Sequence, residues 1–223
     1  MKEVVSFLRD LAKNNNKTWF DANKSRYKEA QVIFNNFAEK LIVGIGEFDP
    51  SVRNLTVKDC TYRIYRDIRF SKDKTPYKNH MGAFVAPGGK KSCHSGYYFH
   101  IEPQDSHYLG GNMLCAGAYM LDPKALKSVR EEIVVNGANF DKVIKSVKSL
   151  NLESDMMKKV PAGYDPNYEY AEYLKCRNFL MSKYVDDSFI LSDNLLDNVL
   201  ETFKETVDFN NMLNMAIDYS LEM

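Results

Sequence analysis

The sequence predicts an α+β protein: an antiparallel β-meander of three or four strands, with room for one late strand, packed by N-terminal and C-terminal helices. Three observations predict it. Apolar residues recur every three or four positions up to about residue 48, short aromatic and β-branched runs divided by Gly turns follow from Met81, and helical start signals return at Asp122.

Val4, Leu8 and Leu11 give a short amphipathic first helix, closed by Asn14, Asn15 and Asn16. Phe20, Tyr27, Ala30, Phe34, Phe37, Leu41 and Ile45 then form one stripe, with a single seven-residue step, and predict one long helix from Thr18 to Glu47 that ends at Asp49 and Pro50. Within it, Trp19, Asn23 and Tyr27 stand four apart; core anchoring with polar tips at the surface is the reading preferred over a ligand ridge.

MGAFVAP, GYYFHIEP, YLGGNML and CAGAYML read as strands, with Gly110 and Gly111 suggesting a bulge. Asp122 followed by Pro123 is a helix start, with Gly137 as its stop and a second helix through Phe140, Val143, Ile144 and Val147. VPAGYDPNYEY is loop-like, a short helix follows near Tyr170 to Lys175, and RNFLMSKYV is the late strand. Ser192 is placed as the cap of a helix carrying Leu195, Val199 and Phe203, and a last helix holds Phe209, Leu213 and Ile217. Without repeats or flexible linkers, residues 1–223 are expected to form a single domain: helices over about 3–48, a basic segment and sheet over about 56–121, and a helical part over about 122–223.

Composition narrows the function. The chain has 223 residues, 44% of them hydrophobic, and thirty basic residues balance thirty acidic ones. No global field therefore recruits nucleic acid or an anionic membrane, and any anion binding is local. MKEVVSFLRDLAKNNN lacks the uninterrupted apolar run of a signal peptide, and no stretch is long enough to span a bilayer, so a cytoplasmic location is expected. Cys60, Cys93, Cys115 and Cys176 are widely spaced and are read as reduced thiols.

Charge concentrates in Arg63–His80, RIYRDIRFSKDKTPYKNH, with six Arg or Lys and two Asp. Arg63, Arg66 and Arg69 would make a slanting row on a helix. The alternation of Tyr62, Ile64, Arg66, Ile68 and Phe70 fits an extended run equally well, and the two readings stay open. Thr56 and Asp59 resemble a capping box for a short helix from about Val57. The arginines are placed on a regular element and the lysines on the turn-forming loop after Phe70.

A guanidinium fork pairs with carboxylates and phosphates, and lysine adds a mobile point charge. Arg63, Arg66, Arg69, Lys72, Lys74 and Lys78, with Tyr77 beside them, are thus candidate ligands for a phosphorylated or polycarboxylate small molecule. Asp67 would instead neutralise and orient Arg63 or Arg66 if the segment is a brace. Tyr98, His100 and Glu102 share one face of a strand, and His100 with Glu102 is the candidate acid and base pair, phosphoester chemistry being the reaction class. His80, His94 and His107 have no metal-site spacing, no cofactor is predicted, and no nucleophile elbow, P-loop or dinucleotide fingerprint occurs. Cys93 beside His94 sits in a Gly- and Lys-flanked loop and is rejected as a thiol protease pair.

RIYRDIRFSKDKTPYK, with SFLRDLAKNNNKTWFDANKSRY, GYYFHIEP, LGGN, VPAGYDP and EYLK in that order, resembles the DUF2461 family over about residues 6–209. The resemblance implies a soluble mixed α and β protein and no particular biochemical role. The two functional expectations are a cationic pocket for an anionic small ligand and a non-catalytic module whose basic segment braces the fold or docks an acidic partner or, less favoured, nucleic acid.

Overall fold

A computed structural model describes residues 1–106 and 110–222. Helices α1 (Lys2–Lys13), α2 (Lys17–Ala22) and α3 (Lys24–Phe48) open the chain, and α4 (Val57–Cys60) follows a 3₁₀ turn. Strands β1 (Met81–Val85), β2 (Gly96–Ile101) and β3 (Asn112–Ala118) form the meander. Then come α5 (Pro123–Ser146), β4 (Asn151–Glu153), α6 (Ala171–Leu174), β5 (Phe179–Val185), α7 (Asp187–Ile190), α8 (Leu195–Lys204) and α9 (Val207–Glu222). The sheet is antiparallel in the order β1-β2-β3-β5-β4, so the late strand joins the meander and the short β4 extends it.

Residues opposite one another in an antiparallel ladder share a face. Ala83, Phe99 and Leu114 are in register and belong to a core with α1, α3 and α8, where Phe99 meets Phe37 at 4.8 Å. Further along that face, Phe179 and Met181 join α5 and α9 in a second cluster. Each fully buried Phe contributes roughly 2–3 kcal/mol of burial. The other face carries Gly82, His100 and Met113 in register.

Five expectations are corrected. The predicted helix from Thr18 to Glu47 breaks at Asn23 (φ −107°, ψ 18°), inside the seven-residue step, where the Asn23 amide donates to the Trp19 carbonyl at 2.9 Å. The two helices expected after Asp122 are one, kinked at Asn136 (φ −123°), where the Tyr168 hydroxyl donates to the Ile133 carbonyl at 2.8 Å. Gly137 is no stop: a Cβ there would lie 2.2 Å from the Tyr168 hydroxyl, so the glycine admits that side chain. Asn194, not Ser192, holds the cap position of α8. YLGGNML and CAGAYML together make one strand, with Gly110 and Gly111 (φ +103° and +120°) ahead of it, while His107 to Leu109 lie outside the described residues.

Among the described residues no helix is long and apolar enough to cross a membrane. Cys60, Cys115 and Cys176 are buried and Cys93 is exposed. Burial pushes the Cys60 thiol to about 11 and Cys115 to about 12, out of reach of the thiolate form at neutral pH. Ellman's reagent is expected to label Cys93 quickly in the native protein and the other three only after denaturation. Fast labelling of a second thiol would contradict this burial.

Candidate functional site

Residues 61–80 leave the edge of β1 as an irregular hairpin, neither the helix nor the strand that periodicity offered. Thr61 bridges Ala83, the Lys78 N–H donates to the Ile64 carbonyl at 2.7 Å, and the Arg66 N–H donates to the Pro76 carbonyl at 3.0 Å. The capping box is present: the Thr56 N–H donates to the Asp59 carboxylate at 2.9 Å and starts α4.

The root of the hairpin is set in the core. Tyr77, a predicted ligand contact, is buried and stacks on Phe20 at 3.9 Å. The Asn15 side chain clamps the Tyr77 backbone, donating to its carbonyl at 2.9 Å and accepting its N–H at 3.1 Å.

The six predicted cations divide into two groups. Arg66 is taken by the Asp73 carboxylate and the Thr75 hydroxyl and donates to the Thr75 carbonyl at 3.1 Å. Hydrogen bonds from the Thr75 backbone first, and from Arg66 next, hold the Asp73 carboxyl at about 2. Arg69 grips Asp67 through a fork of 3.0 and 2.6 Å, so Asp67 pairs with Arg69 and not with Arg66, while the Arg63 charge acts on it more weakly without an ion pair. Lys74 donates to the Ile68 carbonyl at 3.0 Å. These three tie the hairpin tip to itself.

Arg63, Lys72 and Lys78 make no ion pair among the described residues. Lys72 is exposed at the tip. Lys78 is half-buried with its ammonium 5.2 Å from the Tyr62 ring, and burial first, then the nearby Arg63 charge, lowers its pKa. Two like charges crowd here beside an aromatic face.

A cleft of about 60 Å³ lies between Tyr27, Gln31 and Asn35 of α3 and Tyr62, Ile64 and His80; Lys78 does not line it but borders it through Tyr62 and His80. Burial, then His100, then Lys78 lower the His80 pKa to about 3, so the imidazole lining the cleft is neutral at pH 7. The unfolded chain takes up this proton near pH 6.5 and the folded one resists it, so the folded state loses stability as pH falls from about 6.5 toward 3. Relative to His80→Gln, the wild type is expected to lose up to about 1.4 kcal/mol per pH unit in that window by urea unfolding. Parallel curves would contradict the shift.

The predicted acid and base pair sits behind His80. The His80 and His100 rings are 4.7 Å apart, but His100 and Glu102 are both 0% exposed and do not reach the cleft. They share a strand face with Tyr98, as alternation predicted, and are linked to it: the Tyr98 hydroxyl is 2.8 Å from His100 Nδ1, and His100 Nε2 is 3.2 Å from Glu102 Oε2. The His100 ring thus bridges the Tyr98 hydroxyl and the Glu102 carboxyl group, one nitrogen to each. A Cβ on Gly82, opposite His100, would come within 2.6 Å of the Tyr98 oxygen, so the glycine makes room for that phenol.

The tether runs on. Ser106 Oγ donates to Glu102 Oε1 at 2.5 Å, the Glu102 N–H donates to Asn112 Oδ1 at 2.9 Å, and Asn112 Nδ2 donates to Asp187 Oδ1 at 2.8 Å. Arg9 closes it on Asp187 at 2.8 Å. Helices α1 and α7 are thereby tied to β2 and β3 around a fully buried pair.

Among the described residues no group of three or more His, Cys, Asp or Glu is placed to hold a metal ion. Sequence reading missed His80 and Tyr62 as cleft residues. Tyr62 carried a signal, its place in the alternating run, whereas His80 acquires its position only when the hairpin closes on β1.

Residues 3–212 match the model of a family described as "Conserved hypothetical protein (DUF2461)". No curated protein and no solved structure matches the chain.

Proposed function

We propose that this chain, which belongs to the DUF2461 family, binds the anionic group of a small phosphorylated or carboxylate ligand at Arg63 and Lys78, on the Tyr62 side of the cleft. The observation that carries the reading is Lys78. It is a half-buried cation with a lowered pKa, an arginine charge beside it, and no ion pair among the described residues. An incoming anion would relieve that unfavourable contact. Tyr62 offers its ring and hydroxyl, and neutral His80 offers a hydrogen-bond acceptor or base toward the bound group. Positioned cations beside a neutral imidazole suit phosphoester chemistry, the reaction this reading puts first. A cytoplasmic location belongs to the same reading, supported by thiols that are all free.

A second reading rests on Arg66 and Arg69, each already gripped by an aspartate of its own loop. On that reading the segment is a brace and the chain a non-catalytic module.

Thermal unfolding with inorganic phosphate, sugar phosphates, nucleotides and dicarboxylates separates them. A ligand at ten times its Kd contributes about 1.4 kcal/mol, which raises Tm by about 3–6 °C for a protein of this size. The pocket reading expects such a rise with at least one phosphorylated or carboxylate ligand. No rise at millimolar concentration leaves the brace.

A further inference from the structure

The hairpin carries a second surface whose aromatic part, Phe70 and Tyr65, the cleft does not use, although Arg63 and Lys78 border both. Phe70 is 95% exposed, and Tyr65 and Tyr62 are 46% and 42% exposed on the same hairpin. The tip is held by its own charges: Arg66 on Asp73 and Thr75, Lys74 on the Ile68 carbonyl, and Arg69 on Asp67 with its guanidinium carbon 5.9 Å from the Phe70 ring. A loop tied to itself in this way loses less freedom when the ring it presents makes a contact. Once the two Asp are counted against the arginines they pair, Arg63, Lys72, Lys74 and Lys78 remain as net positive charge.

We infer that this hairpin is a docking surface for single-stranded nucleic acid, with Phe70 and Tyr65 as stacking platforms and the lysines and Arg63 along the phosphates. Interleaved aromatic and basic residues are the chemistry such strands require, because every base has a stacking face and every step carries a charge. A duplex is disfavoured, since residues 61–80 contain no helix or strand to enter a groove. A lipid surface is disfavoured too: Phe70 is the only fully apolar side chain among the exposed aromatics of the tip, and Asp67 and Asp73 stand beside it, so the two signals of stable anchoring are not both met. The neutral net charge of the chain keeps the binding local and weak, in the micromolar range.

Fluorescence anisotropy with labelled dT12 and U12 at about 50 mM salt tests this, the pair of probes showing whether a DNA or an RNA strand is preferred. Binding is expected, with a slope of log K against log salt of about −3, from four cations at roughly 0.7 each. Phe70→Ala is expected to weaken it by about tenfold, and Lys72→Met with Lys74→Met to flatten the slope by about 1.4. These side chains are exposed, so unchanged Tm values confirm that the variants fold. Phe70→Ala leaves any phosphate-induced rise in Tm intact, so failure of this inference and failure of the cleft reading show separately. Absence of binding at 100 µM protein, a concentration set by about micromolar affinity, overturns the inference. So does wild-type affinity in Phe70→Ala, or binding to phosphatidylserine vesicles in place of the oligonucleotides.

Discussion

Lys78→Met is expected to abolish any Tm rise that phosphate or a phosphorylated ligand produces, while the unliganded variant is at least as stable as the wild type. The two effects have one cause. The ammonium is half-buried and near Arg63, so the folded state holds the proton less tightly than the unfolded chain does. That lowered pKa is a cost to folding, present at neutral pH and gone once the pH passes about 10.5, where both states are neutral. Methionine keeps the apolar stem against Tyr62 and removes the charge. The stability advantage of the variant should therefore shrink as pH rises from 7 to about 10.5, measured by urea unfolding, while its affinity falls at least about tenfold, the worth of one charge-assisted hydrogen bond. A variant that binds phosphate like the wild type removes Lys78 from the site.

His100→Leu is expected to cost about 3 kcal/mol in urea unfolding at pH 7, within a range of about 2–5. Leucine fills much of the space but cannot hydrogen-bond to Glu102 Oε2 or to the Tyr98 hydroxyl, and the Glu102 contact is fully buried while the Tyr98 contact is part-buried. Glu102→Gln keeps a hydrogen-bond partner for His100 Nε2 and should cost about 1 kcal/mol, the worth of one weakened hydrogen bond. Because the tether continues to Asp187 and Arg9, the loss should appear as earlier exchange of amide protons in α7 as well as in β2. Equal stability of His100→Leu and wild type would mean that the pair braces nothing.

Strands β1, β2 and β5 were legible because each alternates or runs apolar between turn residues, and Asp122 with Pro123 marked α5 without help from the rest of the chain. The break at Asn23 was half legible, as the one long step in an otherwise regular stripe, but the choice of Asn23 depends on where its own amide bonds. Gly137 shows the limit of local reading. A glycine near the middle of a helix reads as a stop, and only Tyr168, thirty-one positions on in the chain, explains it.

The basic segment was legible in composition and not in conformation. Its threefold spacing of arginines suggested a regular element, yet Pro76 and the Asp73–Thr75 turn hold it as an irregular hairpin. Which aspartate takes which arginine depends on the tip geometry: Asp73 reaches back seven positions to Arg66, and Asp67 reaches forward two to Arg69. Tyr98, His100 and Glu102 followed from alternation alone. The burial of His100 and Glu102 did not, because it depends on neighbours from Asn112 and Ser106 to Asp187.

Crystals soaked in tungstate, a phosphate stand-in that scatters anomalously, test the cleft most directly. The account predicts an anomalous peak within about 4 Å of both Lys78 Nζ and the Arg63 guanidinium, the reach of a direct ion pair, displaced by inorganic phosphate and missing in Lys78→Met. A cleft with no peak, or tungstate only on Lys72 and Lys74 at the hairpin tip, would contradict it.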